Sequence, residues 1–576
     1  MYILGLSCYF HDASAALLKD GVIVAAAEEE RFTRKKHDAS FPMHAIDYCL
    51  QSQNITIHDV SYIGFYEKPL LKFERLLSQH LHSFPFSLKT FILSMPSWLH
   101  EKLRITHAIR KRLHYKGEVL FIEHHFAHAA TAFLLSPFKN AAILTLDGVG
   151  GWTTTSYGVG KGTSIRLLKE LTFPHSLGLF YSTITAYLGF EVHDGEYKVM
   201  GLSAYGSSER DKNIFYEKLK NVIDIKEDGS YQMDMEYFQY HYSDRMPSQK
   251  LCELLGGSVR KPQDKLMQRH KDIAAAVQMI TEDVVMNILH HVHTATGCNV
   301  VVLGGGVALN GVCNGKILKK SPFRKIWIPP APGDSGTSMG TASYIYHSVL
   351  GHQRISSLRH AFLGPCYSRE VILELLEKKG VLFREFTDKQ ELVDYVANLI
   401  YNDKIVGWFQ GRMEMGPRAL GNRSILANPC NSRMKSAINR RVKHRESFRP
   451  FAPAVCSGDA SRYFDSDFPL PPSSDFMAFV YPTQKKWFGK IPAVLHVDGS
   501  ARLQSVRKKY NPLFYDLIRS FEKLSGFPML LNTSFNVAGE PLVCSPSDAL
   551  QCYQRTKIDY LVLDRFLIGK NGNIFK

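Results

Sequence analysis

The stretch that decides the fold covers residues 123–152 and reads E-H-H-F-A-H-A-A-T-A-F-L-L-S-P-F-K-N-A-A-I-L-T-L-D-G-V-G-G-W. It begins with a segment that is typical of a helix, in which His124 and His128 stand four residues apart. Both imidazoles therefore project from one helical face, and the alanines around them let another element approach closely. The apolar run at 141–146 is short enough for a buried strand, and it ends at Asp147 before a glycine-rich turn.

Two histidines one helical turn apart, with a carboxylate at a strand end, indicate a site for a divalent transition metal. A single His-x-x-x-His in a chain with 24 histidines is more often chance than a ligand pair. The Asp-Gly-x-Gly-Gly sequence after the strand favours the metal site, because glycines let backbone N–H groups approach a phosphate and the aspartate can hold a metal. The residues alone leave iron, zinc and manganese open.

Length and composition indicate a globular protein of two or three domains. The chain has 576 residues, of which 45% are hydrophobic and 22% charged. No apolar run reaches membrane-spanning length, and the N-terminus reads as a first strand rather than as a signal peptide. The ten cysteines are scattered without a Cys-x-x-Cys pair. We expect a cytoplasmic protein without a membrane partner.

The net charge of +16 favours anionic ligands. One basic cluster lies at 102–116, where we expect a solvated helix face, because no nucleic-acid motif accompanies it. Nucleic acid is accordingly a disfavoured partner.

The chain outside the opening stretch contains further strand ends with polar residues. Residues 2–8 form an apolar strand, and a hairpin with its turn at Asp20-Gly21 leads into the charged run at 28–37. A buried strand near 299–304 enters three glycines after an amphipathic helix at 272–296. Asp334 follows a short strand at 325–328, and the glycines behind it let the next helix pack tightly.

The pattern changes near residue 355. Helices are predicted at 370–379 and 389–401, followed by a strand at 405–409. Arginines surrounded by glycine and proline then suit bidentate grips on phosphate or carboxylate, although a generic basic surface has the same composition.

Three motifs carry a family resemblance over essentially the whole chain. They are H-D-A-S-A-A-L at 11–17, E-E-E-R-F-T-R-K-K-H at 28–37 and G-E-Y-K-V-M-G-L-S-A-Y-G at 195–206. Together they resemble the NodU/CmcH family of O-carbamoyltransferases. This resemblance implies an α/β protein: an actin-like ATPase domain (ribonuclease-H-like, related to the tRNA threonylcarbamoyl transferase) over 1–355, and a YrdC-like α/β domain over 356–576.

The resemblance also implies site residues and ligands. The metal, iron or another divalent ion, would be held by His124, His128, Asp147 and Asp334. Catalysis would involve His11, Lys36 and Asp147, and an adenosine loop would contain Gly304, Gly305, Gly306 and Asn310. Carbamoyl phosphate, ATP with Mg²⁺, and the carbamoyl adenylate would contact Arg418, Lys443, Arg449, Arg502, Asn532 and Ser534.

The expected function is ATP-dependent transfer of a carbamoyl group from carbamoyl phosphate to a hydroxyl of a small molecule. The acceptor stays open among a sugar of a lipo-oligosaccharide, an antibiotic and another secondary metabolite. Three alternatives remain: a tRNA-modifying enzyme of the threonylcarbamoyl type, an actin-like sugar kinase and a nucleotide-binding regulator without turnover. The kinase would leave the C-terminal 200 or so residues without a task.

Overall fold

The computed structural model describes residues 1–466 and 469–570, and it divides them into two compact units. The first unit contains residues 1–9, 14–24 and 49–357. The second contains residues 10–13, 25–48 and 358–576. The boundary predicted after residue 355 stays a prediction, since the units interleave along the N-terminal part of the chain.

The regular elements of residues 1–350 alternate strands and helices. The strands are β1 (Tyr2–Ser7), β2 (Ser14–Lys19), β3 (Val22–Glu28), β4 (Val60–Phe65), β5 (Glu118–Phe121), β6 (Asn140–Leu146), β7 (Thr153–Lys161), β8 (Ser164–Thr172), β9 (Ile223–Ile225), β10 (Tyr231–Met233), β11 (Val300–Gly304) and β12 (Lys325–Trp327). The helices are α1 (Glu30–Thr33), α2 (Met43–Gln51), α3 (Pro69–His82), α4 (Leu88–His100), α5 (Ile105–Leu113), α6 (His124–Phe133), α7 (Leu177–Tyr187), α8 (Glu196–Ser203), α9 (Ile214–Lys220), α10 (Gln249–Leu254), α11 (Gln268–Thr296), α12 (Gly311–Lys320) and α13 (Asp334–Tyr344).

Residues 1–350 contain two five-stranded sheets with the same topology. One has the order β3-β2-β1-β4-β5 and the other the order β12-β11-β6-β7-β8. In each sheet the first strand, β1 or β6, pairs antiparallel with the next strand on one side and parallel with a later strand on the other. Such a repeated strand order is that of the actin-like ATPase fold, so the predicted fold class is confirmed.

Tight turns and close helix packing hold these sheets together. The hairpin turn predicted at Asp20 and Gly21 has φ of 47° and 84°, as a two-residue connection requires. α13 packs on β1, where a side chain at Gly5 would lie 1.9 Å from the carbonyl oxygen of Ser338. Glycine is therefore the residue that allows this helix to reach the sheet.

The second unit is built on one large sheet. Its elements are α14 (Arg369–Lys378), β13 (Arg384–Glu385), α15 (Lys389–Tyr401), β14 (Val406–Phe409), β15 (Arg423–Ala427), α16 (Met434–Ile438), β16 (Ala452–Cys456), α17 (Ala460–Tyr463), β17 (Phe479–Pro482), β18 (Ser500–Val506), α18 (Pro512–Ser525), β19 (Met529–Ser534), α19 (Pro546–Arg555), β20 (Tyr560–Leu563) and β21 (Phe566–Gly569). The sheet order is β13-β21-β20-β14-β15-β19-β16-β18-β17, and the core around Trp408, Phe514 and Phe521 is buried.

The charged run at 28–37 is not a surface segment throughout. Arg31 is buried; its Nε donates to Glu28 Oε2 (3.0 Å) and its Nη2 donates to the carbonyl oxygen of Gly416 (2.9 Å). Glu28 Oε1 in turn accepts from the N–H of Gly416 (3.0 Å). These residues belong to the second unit, and the buried pair fixes the segment within that unit.

Candidate active site and family

Three elements of the first unit bring the four predicted metal ligands together. α6 carries His124 and His128 one turn apart, Asp147 follows β6, and Asp334 begins α13. α6 and α13 approach closely because a side chain at Gly340 would lie 2.1 Å from Thr131 Oγ1. The small residues predicted around the histidines therefore serve the close approach of the helix that holds the fourth ligand.

The distances among the four side chains fit a single bound ion. His124 Nε2 lies 3.1 Å from His128 Nε2 and 3.3 Å from Asp147 Oδ2. Asp334 Oδ1 lies 3.3 Å from His128 Nε2 and 3.7 Å from His124 Nε2. Ligands at about 2.1 Å from a tetrahedral ion are about 3.4 Å apart from one another. All four side chains are buried and offer atoms within 4.8 Å of one another, so the donor set fits a transition metal.

Hydrogen bonds orient the donor atoms. His128 Nδ1 lies 3.1 Å from the carbonyl oxygen of Pro332, and because a carbonyl only accepts, Nδ1 carries the proton and Nε2 presents its lone pair. The N–H of Gly306 donates to Asp147 Oδ1 (2.9 Å). His128 and Asp147 thus each have one atom fixed by the protein and another directed to the centre.

The electrostatics of the centre favour ionised carboxylates. Burial works to raise the pKa of Asp147, but the hydrogen bond from His124 and the charges of the two histidines hold it well below its usual range. Burial also works to lower the pKa of His124, and the Asp334 and Asp147 carboxylates outweigh it, so that this pKa is raised. Two buried carboxylates beside two imidazoles attract positive charge, which a bound cation would supply in place of imidazole protons.

Two further buried side chains surround the centre. His125 points away from the ligands and lies 2.7 Å from Thr145 Oγ1, and burial lowers its pKa to about 3. Tyr66 packs edge-on against His124 with ring centroids 5.4 Å apart. Its buried hydroxyl has no hydrogen-bond partner within the part of the chain that the structure describes. Tyr66 was not predicted, because a tyrosine after an apolar strand carries no ligand signal.

The glycine-rich loop after β11 joins the same centre. Gly305 has φ of 87°, and a side chain there would lie 2.2 Å from the carbonyl oxygen of Leu146. Gly306 holds Asp147, as described above, and Asn310 Oδ1 accepts from the N–H of Cys313 at the start of α12 (3.1 Å). Gly304 ends β11. The predicted adenosine loop therefore lies next to Asp147, one of the predicted metal ligands.

His11 belongs to a second polar cluster, in the second unit. Asp12 lies between two imidazoles, with Oδ2 2.9 Å from His11 Nδ1 and Oδ1 2.7 Å from His37 Nδ1. Burial works to raise the pKa of Asp12, but the hydrogen bonds from His11 and His37 hold it well below its usual range. The carboxylate is therefore an acceptor, and both Nδ1 atoms carry protons. Lys36 is adjacent to His37, and its charge works to lower the pKa of that histidine.

Asp12, Glu30 and His37 offer atoms within 4.8 Å of one another, yet their hydrogen bonds argue against a metal there. Both oxygens of Asp12 are engaged by imidazoles, and Glu30 Oε2 accepts from the N–H of His37 (2.7 Å). Glu30 Oε1 pairs with Arg31 Nη1 at 2.8 Å. These protein contacts engage both oxygens of Asp12 and both oxygens of Glu30, and they orient His11.

Lys443 ends a single π-helical turn, Asn439–Lys443, in the second unit. Its buried ammonium donates to Ser534 Oγ (3.0 Å) and to Asn536 Oδ1 (2.7 Å). Burial and the neighbouring Arg445 and Arg449 hold the pKa of Lys443 well below its usual range. Burial and the charges of Arg445 and Arg449 thus disfavour the protonated lysine, and an anionic ligand would stabilise it.

The other predicted phosphate-binding residues follow one face of the large sheet. Asn532 Nδ2 donates to Gln504 Oε1 (2.7 Å), across the small side chains of β16. Arg502 is two residues from Gln504 and Ser534 two residues from Asn532, so all four lie on the same face. Asn532 also donates to the carbonyl oxygen of Ala419 (3.1 Å), next to Arg418.

Comparison with known proteins follows this geometry. Residues 2–343 match the carbamoyltransferase N-terminus family, and residues 397–570 match the carbamoyltransferase C-terminus family. The chain belongs to the carbamoyltransferase family. Its function as an enzyme of carbamoyl transfer follows from this membership, and the resemblance to NodU/CmcH proteins is confirmed.

Relatives of this carbamoyltransferase include proteins from several bacteria. It is 45% identical to the uncharacterized protein sll1178 of Synechocystis sp., over 99% of this chain and 97% of that one. It is 35% identical to nodulation protein NolNO of Sinorhizobium fredii, over 98% of this chain and 79% of the relative. The HypF structure from T. kodakarensis is 12% identical over 60% of this chain and 48% of that one, with a TM-score of 0.32. The fold assignment therefore rests on the strand order of the chain itself.

The carbamoyltransferase thus has two groups of predicted residues brought together within its units. One is the set of four predicted metal ligands with the glycine loop, and the other is Lys443 with Ser534 and Arg449. Four residues without a predicted role lie beside predicted ones: Asp12 and His37 in the cluster with His11, and Arg445 and Asn536 near Lys443. The hydrogen-bonding partner of a loop residue depends on tertiary contacts, so no local signal in the sequence identified them. No helix in residues 1–466 or 469–570 has both the length and the apolar character needed to cross a bilayer.

Proposed function

We propose that this carbamoyltransferase works in two steps. Residues 356–576 would form carbamoyl adenylate from carbamoyl phosphate and ATP, and residues 1–355 would transfer the carbamoyl group to a hydroxyl of a small-molecule acceptor. One observation carries the proposal: each compact unit contains its own charged site, a carboxylate–imidazole centre in the first and a cationic site around Lys443 in the second.

The first step joins carbamate to ATP, two reactants of low reactivity. Hydrolysis of carbamoyl phosphate gives carbamate and phosphate; a carbamate oxygen then attacks the α-phosphorus of ATP, and pyrophosphate leaves. Negative charge gathers on the phosphates as this bond forms. Lys443, Arg449 and Arg418 would stabilise that charge, and Arg502, Asn532 and Ser534 would orient the phosphates on the sheet face. Mg²⁺ accompanying ATP would add a further positive charge.

The second step needs a base for the acceptor hydroxyl. The acceptor oxygen attacks the carbamoyl carbon, the bond to the AMP oxygen breaks, and the hydroxyl proton goes to the base. His11 is the candidate, because its Nδ1–H donates to the Asp12 carboxylate, which leaves the Nε2 lone pair as the basic position. Lys36 is the second candidate catalytic residue and would balance the charge of departing AMP.

His124, His128, Asp147 and Asp334 would hold an iron or other divalent ion. When bound, such an ion supplies Lewis-acid polarisation of a carbonyl or phosphoryl oxygen. The protein contributes the orientation: Pro332 and Gly306 fix the histidine tautomer and the carboxylate before substrate arrives. The catalytic role predicted for Asp147 is therefore that of a metal ligand whose position the protein fixes.

The two half-reactions can be measured separately. His128→Ala should still release pyrophosphate in the presence of ATP and carbamoyl phosphate, because Lys443 and its arginines are intact, but it should carbamoylate no acceptor. Arg449→Ala should release pyrophosphate at least tenfold more slowly, because a charge near the developing phosphate charge is lost. It should still transfer a carbamoyl group from preformed carbamoyl adenylate.

Arg433→Ala, at an exposed position outside the site, serves as the matched control for charge. Mass spectrometry of a panel of hydroxylated sugars and natural products would detect the gain of one carbamoyl group. Loss of pyrophosphate release in a folded His128→Ala variant would replace the two-site scheme by a single composite site.

A further inference from the structure

The first unit exposes an apolar surface on α3, α4 and their connection. Eight large aliphatic or aromatic side chains are exposed there: Leu70, Leu81, Phe84, Phe86, Leu88, Ile92, Leu93 and Leu99. We call these eight residues the 70–99 surface. They account for eight of the 23 large hydrophobic side chains that are exposed in the described residues, within 30 residues of sequence. Such clustering marks a binding surface, whereas single exposed hydrophobic residues do not.

The exposed apolar side chains on each helix recur at helical spacing. Leu70 and Leu81 are eleven residues apart on α3, which is about three helical turns. Leu88, Ile92 and Leu99 form the same kind of stripe on α4. The connection between the helices exposes two aromatic rings, with 61% of Phe84 and 79% of Phe86 accessible to solvent.

The other faces of α3 and α4 pack against each other, and Arg75 of α3 also contacts the body of the unit. Phe73 packs against Trp98 with ring centroids 5.9 Å apart, and His80 stacks on Phe91 at 4.0 Å. Arg75 lies over the ring of Phe173 at 5.0 Å. The exposed face is therefore held outward by a packed inner face.

The residues on and next to this surface in sequence carry mostly positive charge, which favours an anionic partner. Residues 68–116 contain ten lysines and arginines and two glutamates, Glu74 and Glu101, without an aspartate. Seven of the basic residues are exposed: Lys68, Lys89, Arg104, Arg110, Lys111, Arg112 and Lys116. A segment that exposes both apolar and basic side chains suits the interface of an anionic bilayer, where acyl chains take the former and headgroups the latter.

We propose that the 70–99 surface docks this carbamoyltransferase on anionic membrane surfaces. Phe84 and Phe86 enter the headgroup–acyl boundary, the leucine stripes lie along it, and the basic residues of α5 and its neighbours contact lipid phosphates. The proposal replaces the expectation of no membrane partner, which rested on the lack of a spanning segment and did not consider a helix lying on the surface. It is independent of the chemistry proposed above.

Sedimentation of the full chain with vesicles tests this docking. Vesicles of phosphatidylcholine with 30% phosphatidylglycerol should pellet the protein, pure phosphatidylcholine should bind it far more weakly, and 0.5 M NaCl should release it, since salt screens the basic residues. The double variant Phe84→Ser, Phe86→Ser should bind at least tenfold more weakly, because two aromatic rings no longer leave water. Reversing charge with Arg110→Glu, Lys111→Glu and Arg112→Glu should weaken binding by about a hundredfold.

A matched control removes exposed apolar residues elsewhere. Ile355→Ser with Leu382→Ser should bind anionic vesicles as the wild type does, since both residues are exposed outside the 70–99 surface. A Phe86→Trp variant adds a direct reporter: its emission should shift to shorter wavelength with anionic vesicles, relative to wild type. Absence of vesicle binding, or a concentration-dependent dimer that the Phe84→Ser, Phe86→Ser variant abolishes, would overturn the proposal, the latter in favour of a second copy of the chain.

Discussion

Asp12 is the residue whose position matters most for His11. It accepts one hydrogen bond from each of two imidazoles, in a segment where Asp12 itself has φ of 52° and His37 has φ of 55°. Left-handed backbone at non-glycine residues is uncommon and concentrates at functional sites. The strain is consistent with a structure that holds two rings around one carboxylate.

Replacing Asp12 by Asn should lower kcat for carbamoyl transfer on the order of 10²- to 10⁴-fold, because the proton on His11 Nδ1 loses its carboxylate acceptor. Pyrophosphate release should change little if His11 serves only the transfer step. Comparison of the two half-reactions measures this difference, with Asp38→Asn as the neighbouring control. Equal losses in both half-reactions would contradict the assignment.

The hydrogen bond between His37 and the Asp12 carboxylate should make the stability of the protein depend on pH. Burial works to lower the pKa of His37, but the hydrogen bond and charge of Asp12, with Glu30, raise it above its ordinary value. A raised pKa stabilises the folded state below the unfolded pKa of about 6.5, and this contribution is lost as the pH rises through the folded value. Asp12→Asn should therefore lower the free energy of unfolding more at pH 6 than at pH 9. Denaturant titrations at the two values check the sign, and NMR of His37 should show its pKa falling in the variant.

The four predicted metal ligands lead to a prediction about the metal content of the protein. The double variant His124→Ala, His128→Ala should lose the bound metal, about one ion per chain in the wild type, because only two carboxylates of the four donors remain. Elemental analysis of protein purified without a histidine tag measures this. His125→Ala, which removes an imidazole that points to Thr145, should retain the metal. Unchanged metal content in the double variant would place the ion elsewhere.

At the scale of elements, the close packing of α6 against α13 brings the predicted metal ligands of the two helices together. An alanine at Gly340 would put its Cβ 2.1 Å from Thr131 Oγ1 and 2.2 Å from the carbonyl oxygen of Ala127. Because the helices would have to separate, Gly340→Ala should lower the free energy of unfolding by about 1–3 kcal/mol and weaken metal binding. Gly458→Ala is the control, since nothing lies within 4 Å of a Cβ there. Equal stability of the two variants would show that the helices can separate without loss.

Periodicity predicted most elements but not their ends or partners. α15 begins and ends where the sequence pattern does, at Lys389 and Tyr401, because its apolar residues recur through its whole length. α11 begins at Gln268, four residues before the predicted start, since polar residues can extend a helix without adding periodicity. The His124 and His128 pair was predictable from spacing, whereas the contact between Asp12 and His37 depends on two loops that no local pattern relates.

At the scale of the whole molecule, residues 25–48 belong to the second unit although they stand far from its remainder in sequence. Within this segment, buried Arg31 and Glu28 form hydrogen bonds with the backbone of Gly416. Arg34 Nη2 donates to the carbonyl oxygen of Pro541 (2.9 Å). A charge run is normally solvated, so composition did not predict this burial. Only the three-dimensional packing shows that the segment completes the second unit.

A fragment of residues 358–576 should therefore fail to fold as it does in the full chain. Without residues 25–48 the backbone groups of Gly416 and Pro541 lose their partners, and the core beneath them becomes accessible to water. The fragment should be insoluble or show poor dispersion in an ¹H–¹⁵N NMR spectrum, and a synthetic peptide of residues 25–48 added during refolding should improve it. A fragment that melts as sharply as the full chain, without the peptide, would contradict this.

The interleaving has a consequence for synthesis on the ribosome. Residues 25–48 emerge early, but the remainder of their unit begins at Leu358, about 300 residues later. At 5–20 residues per second, this segment waits for about 15–60 s before its partners exist. Its Glu28-Glu29-Glu30-Arg31 run remains hydrated during that interval, so the charges that are later buried also keep the nascent segment from aggregating.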